Sequence, residues 1–296
     1  MPHDVLPGGD LRLGGRTFTP GQTGLLAIIN RTADSFYDKG RYLDDDVALR
    51  AVGSAEADGA DGVDVGGVKA GPGPEVTAAE EITRVVPFIA AIRAAHPDLV
   101  ISVDTWRAQV ADAACAAGAD LVNDAWAGHD PELSAVAAAH GAGYLCAHTG
   151  GHPPRTDPYR VRYRDVVSET VADLTRQADA ALAAGVREDG LLIDAAHDFG
   201  KNTYHSLAVT GQVRALVETG WPVLLAVSNK KFIAETLGLD GPKSDRITGT
   251  LATTAVAVWE GVRMVRAHDV AQTRQVLDMV TGLRTGIPKL ARRALA

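Results

Sequence analysis

The chain has 296 residues, 46% of them hydrophobic and 22% charged, the balance of an ordinary globular protein. Its 29 Lys and Arg against 37 Asp and Glu give a net charge of −8. That excludes a nucleic-acid backbone as the main partner, but not a small anion held by a local basic cluster. No run approaches the ~18 apolar residues of a membrane span, and the start, Met1-Pro2-His3-Asp4, carries no charged-then-apolar signal pattern. Cys115 and Cys146 both lie in apolar stretches and read as reduced core residues. A cytoplasmic enzyme-like domain is expected.

Residues 1–20 are Gly-rich and read as a flexible, extended N-terminal segment. From there short apolar runs alternate with Ala-rich helical stretches. The runs are residues 25–29, 62–65, 100–103, 121–122, 144–147, 191–193, 223–227 and 263–265. Strands apolar throughout are buried on both faces, and their alternation with helices predicts an α/β fold, a single-domain (β/α)8 TIM barrel over residues 21–285. Glycines at 59, 118, 141 and 185, each just before a strand, supply left-handed helix ends. An open doubly wound sheet would need a Gly-rich phosphate fingerprint after an early strand, and the first run ends in N-R-T-A-D-S instead. Residues 286–296 read as a C-terminal tail.

Nearly every run ends in a group able to bind or react: Asn30, Asp64, Asp104, Asn123 with Asp124, His148, Asp194, Ser228 with Lys230, and Arg266 with His268. Asp64 and Asp124 are the first choices for a structural role, bonding amides of the loops that follow. The rest would gather at the C-terminal mouth of a barrel. Asp104, Asn123 and Asp194 suit the ring N–H and amino groups of a flat heterocycle. Lys230, Arg266 and His268 suit phosphate. Asn30 offers a neutral oxygen for a hard cation such as Mg²⁺ beside that phosphate. Neither H-x-x-x-H nor C-x-x-C occurs, so zinc is not expected. Trp106 and Trp126 follow strands and either flank the mouth or pack in the core.

These residues resemble the dihydropteroate synthase family from about Leu25 to about Leu283. The stretch from Asn30 to Phe36 is similar to N-x-T-P-D-S-F, with Ala33 in place of Pro. Asp64 to Gly67 matches D-V-G-G, and Ser102 to Thr105 and Val122 to Asp124 match the next two strand ends. Asp194 with Phe199, Gly200 and Lys201 resembles D-P-G-x-G-F-G-K, Ser228 to Lys230 resembles S-R-K, and Arg266 to Val270 matches R-x-H-D-V. The resemblance implies a pterin-binding barrel that joins 6-hydroxymethyl-7,8-dihydropterin diphosphate to p-aminobenzoate with Mg²⁺. It implies Asp104, Asn123, Asp194 and Lys230 on the pterin, Asn30, Arg266 and His268 on Mg²⁺-diphosphate, and Phe36 and Phe199 on the aminobenzoate side. Asp104, Lys230 and Arg266 would be the catalytic set, and a homodimer is implied.

The pattern breaks after D-V-G-G. The family continues E-S-[TS]-R-P-G, a loop that closes over the site, whereas residues 68–73 here are V-K-A-G-P-G. That segment most resembles the divergent second dihydropteroate synthase homologue of actinobacteria. Losing one charge-assisted contact costs roughly 1.5–3 kcal/mol, or about 10- to 100-fold in rate. The expectation is a retained pocket with condensation weak or lost, and Lys69 or Arg31 as candidate replacement cations. A fully active synthase and a pterin- or phosphate-ligand enzyme of altered specificity are the alternatives.

Overall fold

The computed structural model describes residues 8–32, 45–156 and 161–290. Two short strands come first, β1 (Leu11–Leu13) and β2 (Arg16–Phe18), paired antiparallel. The barrel strands follow: β3 (Gly24–Asn30), β4 (Gly62–Gly66), β5 (Val100–Asp104), β6 (Leu121–Asp124), β7 (Gly143–Ala147), β8 (Leu191–Asp194), β9 (Leu224–Leu225) and β10 (Met264–Ala267). They pair in parallel in the order β8-β7-β6-β5-β4-β3-β10-β9. A parallel bridge between Ile193 and Val223 joins the two ends and closes the ring. Each expected strand is present, in the barrel the alternating pattern predicts.

Helices cover the outside: α1 (Asp45–Ala57), α2 (Ala78–Ala95), α3 (Ala108–Ala116), α4 (Leu133–Ala139), α5 (Val166–Ala183), α6 (Thr203–Gly211), α7 (Val213–Val217), α8 (Lys231–Leu237), α9 (Ile247–Glu260) and α10 (Val270–Thr285). Among the described residues no helix is long and apolar enough to cross a membrane. Helix α2 starts at a capping box, in which Thr77 and Glu80 satisfy each other's backbone N–H groups. The expected glycine ends hold: Gly59, Gly118, Gly141 and Gly185 all have positive φ. Cys115 and Cys146 are free and buried.

Side chains alternate across each strand. One set, including Val63, Val65, Ile101, Val103, Val122 and Ile193, packs outward with helix residues such as Val85, Ile89 and Leu174. The other set faces in. Its lower layer, Leu26, Val100, Leu121, Leu145, Leu192, Leu224 and Met264, forms a cluster with Leu11, Leu13 and Phe18. The expectation of an extended, flexible N-terminal segment is therefore corrected for its described part. The β1–β2 hairpin plugs the bottom of the barrel, with Leu11 and Leu13 fully buried. Buried Arg263 ties it down, donating Nη2 to the Phe18 carbonyl at 2.7 Å and Nη1 to that of Gly9 at 3.2 Å. The pattern that hid this is brevity, since two three-residue strands carry almost no period.

Candidate active site

Above the hydrophobic layer the inward positions turn polar. They are Asn30 on β3, Asp64 on β4, Ser102 and Asp104 on β5, Asn123 on β6, Asp194 on β8 and Arg266 on β10. The same period of two that places Val100 below places Ser102 and Asp104 above it.

Asp64 is the hub of this layer and is fully buried. It accepts Ser102 Oγ–H at 2.5 Å, Asn123 Nδ2–H at 3.2 Å and Arg266 Nε–H at 2.5 Å. The expectation that Asp64 would bond loop amides is thus wrong, because its strand position points it inward at side-chain donors. Asp124 does behave as expected. One residue beyond Asn123, it faces outward and accepts Trp126 N–H at 3.0 Å, Gly128 N–H at 2.6 Å and the Tyr144 hydroxyl at 2.7 Å. His148 also points away from the mouth, its Nδ1 against Thr170 Oγ1 of α5 at 3.2 Å. Burial presses its pKa down to about 3.

Arg266 is shared. Its Nη2 donates to Asp104 Oδ2 at 2.9 Å while Nε holds Asp64. Burial pushes the Asp104 carboxyl up to about 7; Arg266 opposes this and the charge on Asp64 adds to it. Asn30 reaches the same corner. A Cβ built on Gly66 would lie 3.5 Å from Asn30 Oδ1 and 3.7 Å from Asp104 Cβ, so the glycine leaves room for both.

On the other side, Asp194 accepts Ala196 N–H at 2.9 Å, and burial raises its pKa. Lys230 donates to the His197 carbonyl at 2.6 Å and its ammonium lies 4.2 Å from the centre of the Phe199 ring. Burial lowers its pKa, opposed by the charges of Asp198 and Asp194. Trp126 meets Phe199 edge-on at 5.2 Å and Trp106 at 6.5 Å, so the two tryptophans, both buried, form an aromatic wall behind the mouth. Burial and the neighbouring Arg266 press the His268 pKa down to about 3, which favours the neutral ring over the cation its type suggested. The Ser228 hydroxyl, 3.1 Å from His268 Nδ1, already accepts the His268 backbone N–H. It can therefore donate to Nδ1, which leaves the ring proton on Nε2.

The altered loops resolve differently. Among the described residues Arg31 pairs with Asp45 and lies 4.6 Å over the Phe88 ring, buried against α2. Lys69 is close enough to Lys243, with Arg246 and Lys230, that after burial these charges help press the Lys243 pKa down to about 8. In the β8–α6 loop Ala196 (φ 48°) and Asp198 (φ 67°) adopt left-handed backbone normally left to glycine. Asp198 offsets this by accepting Lys231 N–H at 2.6 Å and Phe232 N–H at 3.3 Å at the start of α8. His197 stacks on Phe232 at 5.6 Å, away from Asp194, with neither ring nitrogen hydrogen-bonded. The bulk of His197 is thus taken up in packing against α8.

The mouth therefore joins Asn30, Asp104, Asn123, Asp194, Lys230, Arg266, His268 and Phe199. Phe36 lies outside the described residues. Sequence reasoning missed Ser102, which shares the inward face of Asp104, and Lys201, whose buried Nζ donates to the His148 carbonyl at 2.7 Å. It also missed Lys243, which opens a single-turn 3-10 helix, Lys243–Arg246, too short to leave a pattern.

A family model described as "Pterin binding enzyme" matches residues 26–268. The "Inactive dihydropteroate synthase 2" of Mycobacterium tuberculosis is 58% identical over 264 residues, 88% of this chain and 82% of that one. The dihydropteroate synthase of Bacillus subtilis is 37% identical, over 88% of this chain and 89% of its own. Among solved structures, the Xanthomonas albilineans dihydropteroate synthase in complex with 7,8-dihydropteroate superposes with a TM-score of 0.81. It is 32% identical, covering 94% of this chain and all of the other.

Proposed function

The chain belongs to the dihydropteroate synthase family of pterin-binding enzymes, and from that premise we propose that it binds a pterin diphosphate in the barrel mouth while condensing it with p-aminobenzoate weakly or not at all. The observation that carries this is the contrast between wall and lid. The wall offers carboxylate, amide and cation groups in one inward layer, held around Asp64. The lid segment at residues 68–71 offers no hydroxyl, carboxylate or guanidinium.

In this reading Asp104, Asn123, Asp194 and Lys230 take the pterin, and Arg266 and His268 take the diphosphate. Phe199, under Lys230, lines the aminobenzoate side. Arg266 and Lys230 would stabilise charge on a departing diphosphate, and Asp104 the cation left behind. Among the described residues no three His, Cys, Asp or Glu side chains converge as a metal cluster. Asn30, a single neutral oxygen, fits a Mg²⁺ that arrives with phosphate and keeps its waters. When bound, the ion would supply charge neutralisation to the diphosphate. A homodimer is supported by the exposed apolar residues Val256 and Trp259 on α9 and Met279 and Leu283 on α10, and sedimentation mass tests it.

Calorimetry with 6-hydroxymethyl-7,8-dihydropterin diphosphate and Mg²⁺, run beside an assay of dihydropteroate formation, tests the function. Binding without turnover is the expected result. No binding at millimolar ligand sinks the pterin assignment of Asp104, Asn123 and Asp194, and turnover at ordinary enzyme rates sinks the lost-activity assignment. Grafting Val68→Glu, Lys69→Ser, Ala70→Thr and Gly71→Arg together is expected to raise product formation by at least about tenfold, the worth of one restored charge-assisted contact.

A further inference from the structure

The loop between β4 and α2, residues 67–76, carries Lys69 and Glu75 as its only ionisable side chains. Its backbone is nevertheless gripped by arginines from three different places. Arg84 of α2 donates Nη1 to the Gly67 carbonyl at 3.0 Å. Arg107, after β5, donates Nη2 to the Val76 carbonyl at 2.7 Å and is itself held by the buried carboxylate of Glu81. Arg155, in the loop after β7, donates Nε to the Gly71 carbonyl at 3.2 Å and Nη1 to the Pro74 carbonyl at 2.6 Å.

The first two arginines fix the loop's ends and Arg155 holds its middle. Strands β4 and β7 are separated in the sheet by β5 and β6. A link from the β7 loop to residues 71–74 therefore passes above the ends of β5 and β6, where Asp104 and Asn123 stand. A Cβ on Gly73 would fall 2.8 Å from Arg155 Nη2, so the guanidinium lies close against the loop backbone. Arg155 itself sits at φ 62°, a left-handed conformation that a non-glycine residue adopts at a cost.

We infer that Arg155 is a positioning residue that latches residues 71–74 across the barrel mouth through their carbonyls, so that a ligand enters or leaves only when those two contacts break. The inference concerns the closure of the loop and is independent of which ligand the mouth takes.

Limited trypsin digestion of the full chain tests it without any ligand, because the loop carries its own cleavage site after Lys69 and cleavage tracks the opened population. Arg155→Ala is expected to speed that cut by roughly 10- to 100-fold, the loss of two bonds from a charged donor, with cleavage within α2 unchanged. Arg155→Lys, whose compact ammonium cannot fork onto both carbonyls, should fall between. With the pterin diphosphate and Mg²⁺ as probe, stopped-flow association and dissociation rates should both rise in Arg155→Ala. Unchanged cleavage after Lys69, or unchanged rates, overturns the latch. If the alanine variant loosens the whole chain, Arg155→Lys decides: a local rise in cleavage supports the latch and none refutes it. Failure to bind the probe at all would instead strike the proposed function and leave the cleavage result standing.

Discussion

Replacing Asp64 by Asn keeps the shape of the hub and removes its charge. Three donors now converge on the carboxylate, from Ser102 at 2.5 Å, Asn123 at 3.2 Å and Arg266 at 2.5 Å. In Asp64→Asn one oxygen becomes an NH₂ that faces donors, and Arg266 loses one of its two carboxylate partners. Removing one partner of a buried pair costs about 3–5 kcal/mol, which for a chain of this size lowers Tm by roughly 6–20 °C. A second effect carries a sign. The Asp104 pKa stands at about 7, raised by burial first and by Asp64 in part, and opposed by Arg266. A carboxylate raised in the folded state contributes stability that is full below its unfolded value, near 3.8, and is lost as pH rises through about 7. Without the charge on Asp64, and with Arg266 left to Asp104 alone, that pKa falls and less stability is lost over the window. The deficit of Asp64→Asn against the parent should therefore narrow between pH 5 and about pH 7.5. Thermal and urea unfolding across that range measure both quantities. A Tm loss below about 2 °C, or a deficit that widens as pH rises, would refute the hub.

Two further perturbations probe parts of the fold on which the site depends. His197 is buried, its ring nitrogens lack hydrogen bonds, and its pKa is pressed down to about 3 by burial. A histidine held neutral in the folded state loses stability as pH falls from about 6.5, by up to roughly 1.4 kcal/mol per unit. His197→Phe should therefore gain on the parent by about 1–2 kcal/mol between pH 6.5 and pH 5 in urea unfolding, and parallel pH profiles would contradict that. Leu11→Ala opens a cavity in the barrel plug and should cost about 2–5 kcal/mol. A dangling N-terminal segment predicts no change in the same melt.

Strand existence was legible because each barrel strand is written as a short apolar run between helical stretches, whereas the period of two becomes readable only once an inward face is known. That period separates Asn123 from Asp124 and puts Ser102 beside Asp104. The same count along β7 puts His148 on the outward face with Tyr144 and Cys146. The hairpin at residues 11–18 escaped because three-residue strands are shorter than the pattern that reveals them. His268 was legible as a ligand-side group but not as a neutral one, since its protonation depends first on burial, which only the closed ring supplies, and then on Arg266, two positions earlier on the same face.

The lid was illegible for a different physical reason. Its side chains depart from the family at every position from 68 to 71, and side chains are what a sequence displays. Its contacts to Arg84, Arg107 and Arg155 are made by carbonyl oxygens, which every residue carries, so the accepting segment has no signature at all. Only the donors could betray it, and an arginine 84 residues away along the chain is indistinguishable from a surface arginine until β7 is placed near β4. On the proposed reading, the loss of E-S-[TS]-R, with Pro72 and Gly73 kept, removes the groups that would touch a diphosphate without removing the arginine contacts that would close the mouth. Such a mouth can hold a ligand while failing to complete the charge stabilisation of its leaving group. That is why ligand affinity and product formation should separate in this chain, and why the loop graft and Arg155→Ala should move different quantities, the one turnover and the other rates of entry and exit.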